Sequence, residues 1–108
     1  MVTRVPIACT LTAEAAAAQR AEWETFLTTS VQRVETERNR ATLTLFGGSD
    51  LLLTATDLAE REQACCSFFV FSIELDGTVT RLHIKVPTEA EPILTDLLAR
   101  LPASLRPD

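Results

Sequence analysis

The chain reads as an α+β domain: a four-stranded, mostly antiparallel sheet built from two hairpins and covered by three helices, in the order α-ββ-α-ββ-α. Three observations lead there. Apolar residues recur with a helical period in three stretches and alternate with period two in the stretches between them. The alternating stretches are interrupted by turn-forming residues, Glu37-Arg38-Asn39 in the first and Asp76-Gly77 in the second. Each helical stretch carries an apolar stripe, which needs a sheet face to cover.

Thr12 is placed to cap the first helix, and the alanine-rich stretch behind it has high helix propensity. Ala16, Trp23, Phe26 and Leu27 fall on one stripe, so the helix is expected from about Thr12 to about Thr28. Val31 to Thr36 and Ala41 to Phe46 form the first hairpin, with Ala41, Leu43 and Leu45 on its core face. Gly47-Gly48 ends it, and Ser49 or Asp50 can cap a second helix reaching roughly to Cys66. Phe69, Phe71, Ile73 and Leu75, then Leu82, Ile84 and Val86, alternate on either side of Asp76-Gly77 as the second hairpin. Thr88 and Glu91 have capping-box spacing, Pro92 suits a first helical position, and Ile93, Leu94, Leu97 and Leu101 make a stripe that stops at Pro102. Val5 to Leu11 is expected as a short extra strand or an ordered arm. Strand order is not encoded in these patterns.

Residues 1–108 give room for one domain with one core. With 46% hydrophobic and 23% charged residues and no repetitive polar tract, the composition is that of a folded domain rather than a disordered chain. Ten basic against fifteen acidic residues leave a formal charge of −5, and the cations form no stripe. Phosphate backbones bind clustered positive charge, so no nucleic acid partner is expected. The longest apolar runs, such as Leu51 to Leu53 and Phe68 to Phe71, are far short of a membrane span, so no membrane partner is expected either. Met1 to Leu11 lacks a continuous apolar core of the signal-peptide kind, and a cytoplasmic protein is expected. Two of the three cysteines are adjacent, which argues against a disulfide framework and for reduced thiols at rest.

The informative constellation lies at the end of the second helix. Successive positions 100° apart put Leu51, Ala55, Leu58, Glu62, Cys65 and Cys66 on the inner stripe, with Thr56, Asp57, Glu60, Arg61, Gln63 and Ala64 outside. Glu62 meets the two cysteines at i+3 and i+4. A carboxylate facing the core needs a partner, so Glu62 either serves the thiols as base, ligand or electrostatic guard, or pairs with an arginine or backbone donor. An adjacent thiol pair beneath it suits a soft ligand, since thiolate is both the soft ligand and the nucleophile. The helix C-terminus and Glu62 both disfavour thiolate, so the pair is expected to be poorly activated until a cation displaces its protons. Cys9, in the arm before the first helix, would complete a trigonal sulfur site if the fold brings it in. The candidate metal ligands are therefore Cys9, Cys65, Cys66 and Glu62, the implied cofactor is a soft metal ion, and no catalytic residue is assigned. His83 shares its strand face with Arg81 and Lys85 and is expected in solvent rather than as a fourth ligand.

The segments Ile7-Ala8-Cys9-Thr10-Leu11-Thr12, Ala21-Glu22-Trp23, Glu62-Gln-Ala-Cys65-Cys66-Ser-Phe68-Phe69 and Val86-Pro87 to Leu101 resemble a group of small actinobacterial-type proteins. They are also similar to the sensing domain that follows the DNA-binding region in some MerR-like regulators, a superfamily associated with mercury, other soft metals and redox signals. The resemblance implies ligand sensing or soft-metal binding through Cys9, Cys65, Cys66 and Glu62. Ser67 stands where the group commonly has proline, and no winged-helix segment is present, so a stand-alone binding protein is expected. Three functions compete: a domain that binds or senses a thiophilic ion such as mercury(II), arsenite or copper(I), or another small thiol-reactive ligand; a thiol oxidoreductase or transferase with Glu62 as base; and a homodimerising module whose cysteines merely pack.

Overall fold

The structure is a computed structural model that describes residues 12–47 and 49–105. Its elements follow the expected order: α1 (Ala13–Thr29), β1 (Val31–Glu37), β2 (Arg40–Leu45), α2 (Ser49–Cys65), β3 (Val70–Asp76), β4 (Val79–Lys85) and α3 (Glu91–Leu98), the last entered through a short 3-10 turn, Thr88–Ala90. The four strands form one antiparallel sheet in the order β1-β2-β4-β3. The Val5 to Leu11 arm and Cys9 lie outside the described residues.

α1 begins where its cap predicts. The Thr12 hydroxyl accepts from the Ala15 amide, satisfying one of the amide donors that a helix start leaves without partners. Trp23, Phe26 and Leu27 are buried on the stripe, joined by Gln19, which the apolar pattern did not include.

In β1, Val31 is buried and Val34 half-buried, an odd spacing that an unbroken strand would put on opposite faces. A bulge between Val31 and Arg33 absorbs the extra residue and returns both valines to the core face. The turn to β2 holds Arg38 at a φ of +51°, and the second hairpin turns through Gly77 at +61°, the left-handed region that glycine enters freely.

Leu43, Leu45, Leu82 and Ile84 point from the central strands into a single core with Trp23 and Leu27 of α1, Ala55 and Leu58 of α2, and Leu94 and Leu97 of α3. All three helices therefore cover one sheet face. The other face presents Thr42, Thr44, Arg81, His83 and Lys85. β3 is an edge strand, and at its far end Leu75 is 64% exposed rather than buried as the alternation suggested.

α3 also differs from expectation. No side-chain cap closes its start, so the Thr88/Glu91 capping box does not form, and Pro92 sits in the first turn. The helix ends at Leu98. Arg100 and Leu101 donate to residues three back, Leu97 and Leu98, tightening the chain before Pro102. Leu101 is buried all the same, while Ile93 stands at the rim, 36% exposed.

α1 and α2 are clasped on their outer edge. Arg61 donates to both Glu22 carboxylate oxygens, at 2.6 and 2.9 Å, and reaches Asp57 at 3.0 Å. Glu22, off the apolar stripe of α1, belongs to an interhelical fork, and the hydrogen bond from Arg61 holds its carboxyl below the ordinary range. A carboxyl lowered in the folded state stabilises the fold above its unfolded pKa of about 4.3 and loses that stabilisation as pH falls through the folded value. Both partners are partly in water, so Glu22→Gln should cost about 0.5 kcal/mol at neutral pH. Denaturant melts should show the deficit shrinking as pH falls below about 4.

Candidate functional site

The last turn of α2 delivers the site. Ala55, Leu58 and Cys66 of its inner face are almost completely buried, which fixes the rotation of the helix. Cys65 and Cys66 are then buried at its end, and Glu62 one turn earlier is half-buried, turned away from exposed Glu60. Sequence periodicity placed Glu62 deeper than this. At the rim its carboxylate keeps contact with water as well as with the thiol, which lowers the cost of its charge. The exit from α2 is a tight turn: the Cys66 amide donates to Glu62, the Phe69 amide to Cys66, and Gln63 Nε2 to the Phe69 carbonyl at 3.1 Å. Ser67 is accommodated there without proline.

Glu62, Cys65 and Cys66 each offer one ligand atom, all within 4.8 Å of one another. The two sulfurs are 3.5 Å apart, and the Cys65 thiol lies 3.7 Å from Glu62 Oε2. Across the helix interface, Gln19 Nε2 donates to Glu62 Oε2 and lies 3.4 Å from Cys65 Sγ. Gln19 is only 8% exposed. It sits four residues before Trp23 on the same stripe, so the reasoning that singled out Glu62 on α2 would have found it on α1.

Burial pushes the Cys65 thiol up from its ordinary range. The Gln19 hydrogen bond opposes that shift, and the Glu62 carboxylate adds to it. Cys65 is therefore protonated at neutral pH, as its position at a helix C-terminus suggested. Cys66 corrects the expectation of reduced thiols, because it is disulfide-bonded. Adjacency spoke only against a bond within the pair, which would close a strained ring. It said nothing about a bond from one member to a distant cysteine.

Beside this group a cavity of about 160 Å³ opens between α1, α2 and α3. Gln19, Arg20, Trp23, Glu62, Cys65 and Arg100 are among the residues that line it. His83 is on the other face of the sheet, bonded to Thr42 Oγ1 through Nδ1 and to Glu74 Oε1 through Nε2, and takes no part. No helix among the described residues is long and apolar enough to cross a membrane. Comparison with protein family models, with curated proteins and with solved structures finds no match to this chain.

Raising the Cys65 pKa has a measurable consequence. The unfolded thiol ionises from about pH 8.5 while the folded one stays protonated. Stability should fall as pH rises above that value and level off beyond the folded pKa. The chain has no tyrosine and a single lysine, so little else titrates there. Cys65→Ala should flatten the slope of thermal stability between about pH 8 and 10, and Glu62→Gln should reduce it.

Proposed function

We propose that this site captures a thiophilic ion or small thiol-reactive ligand of the mercury(II), arsenite or copper(I) kind. Cys65, Cys66 and Glu62 bind it, Cys9 serves as a third sulfur, and capture waits on reduction of the Cys66 disulfide. The observation that carries the reading is the convergence of two sulfurs and a carboxylate within 4.8 Å, with Cys65 and Glu62 lining a cavity. While Cys66 is in a disulfide it has no thiolate to offer, so the full ligand set exists only in the reduced protein. Non-reducing peptide mapping should recover Cys66 in a disulfide.

The rival reading, a thiol oxidoreductase or transferase, has one observation in its favour: Cys65 Sγ lies 3.5 Å from the Cys66 sulfur, close enough to attack the disulfide. Attack requires thiolate, and burial together with Glu62 keeps Cys65 protonated. A soft cation displaces those protons directly, so the same environment suits capture better than turnover.

After reduction with a phosphine, one equivalent of mercury(II) or arsenite should protect Cys65 and Cys66 from alkylation. The oxidised protein and the Cys65→Ala variant should bind at least tenfold more weakly. Equal affinity of reduced parent and variant would remove Cys65 from the site and overturn the reading.

A further inference from the structure

Trp23 is 1% exposed, and its indole Nε1 is buried without a hydrogen-bond partner among the described residues. Leaving a buried donor unsatisfied costs roughly 1–3 kcal/mol, so such groups call for an explanation. Trp23 also lines the cavity that holds Cys65, Glu62 and Gln19. Resting on the thiol-site reading above, we infer that the ligand is an oxygen-bearing, pyramidal thiophilic species, of which arsenite is the simplest, and that Trp23 Nε1 donates to its oxygen.

Three features converge on that class. A bare soft ion bound to sulfur has no acceptor for the indole N–H, whereas arsenous acid bound through two sulfurs keeps one hydroxyl, whose oxygen can accept from Trp23 and whose proton can go to Glu62. The spacing of the sulfurs in the disulfide-bonded protein, if kept on reduction, also fits a bent centre. Two bonds of about 2.3 Å, the length of a zinc–thiolate bond, meeting sulfurs 3.5 Å apart enclose an angle of about 100°. A linear two-coordinate ion would hold them about 4.6 Å apart at that bond length. Size agrees as well. At about 160 Å³ the cavity far exceeds the roughly 10–15 Å³ one water requires and falls below the roughly 300 Å³ where drug-sized ligands begin.

The binding step balances without redox change once a phosphine has reduced the Cys66 disulfide to thiols. Cys65 and Cys66 each form an arsenic–sulfur bond, two arsenic–oxygen bonds break, and each thiol proton leaves with a hydroxide as water. The third hydroxyl stays on arsenic, beside Glu62 and the indole N–H.

Trp23 is the only tryptophan, so the 15N-labelled protein has one indole N–H resonance to follow. In the phosphine-reduced protein, arsenite should move that resonance downfield, and mercury(II) should leave it close to its starting position. Trp23→Phe should weaken arsenite binding by about five- to tenfold, the loss of one hydrogen bond, with little change for mercury(II). If both species bind through Cys65 but arsenite leaves the indole resonance unmoved, the oxygen-bearing ligand is overturned and the thiol site stands. If neither protects Cys65 in the reduced protein, the thiol site falls and the inference falls with it. Should Trp23→Phe fail to fold, the indole shift in the parent protein decides alone.

Discussion

Burying a carboxamide between two helices is tolerable only when its hydrogen bonds are made. Gln19 donates to Glu62 and lies within hydrogen-bonding distance of Cys65, the two α2 residues that matter most to the site. That contact sets which residues of α1 and α2 face one another. It steers the Glu62 carboxylate toward the thiol and moderates the upward pressure that burial puts on the Cys65 pKa. The Glu22–Arg61 fork reinforces the same pairing from the solvent side. Between these two contacts the helices have little freedom to slide, and the cavity between them keeps its Trp23 and Cys65 walls.

α2 carries a double burden. Its inner face must supply Ala55 and Leu58 to the core and then, within two turns, Glu62, Cys65 and Cys66 to the site. A helix permits both because residues three and four apart stay on one face, so packing at one end fixes orientation at the other. Large-to-small changes at Leu58 would therefore reach the thiols through helix rotation as well as through lost packing.

Much of this was legible in the residues. The Thr12 cap, the alternations of β2 and β4, the Asp76-Gly77 turn and the α2 stripe each follow from local chemistry, and each stands where that chemistry puts it. Strand order was not legible, because side-chain alternation says which face a residue takes and nothing about its neighbour across the ladder. The bulge in β1 was hidden for a related reason: two valines three apart are ambiguous until the sheet has a face. In the site, Glu62 and the cysteines could be found by asking which residues break an apolar stripe. Gln19 answers to the same question on α1. Trp23 could not, since its place in the core was obvious and the lack of a partner for its Nε1 among the described residues is a fact of three dimensions. The state of Cys66 was missed because adjacency constrains only the bond between neighbours.

The donor set also says which ions this arrangement disfavours. A structural zinc site takes four tetrahedral ligands, and the one histidine of the chain is committed to Thr42 and Glu74 across the sheet. Hard cations such as magnesium take six oxygens or so, where this site has one carboxylate beside sulfur. What remains are soft centres content with two or three sulfurs. On the reading proposed above, Glu62 acts in both directions: with nothing bound it adds to the cost of thiolate at Cys65, and beside a positive centre the same charge would stabilise the complex. A thiol held protonated in this way gives up nucleophilicity at rest, which is why the proposed reading is capture of ligands able to displace its proton.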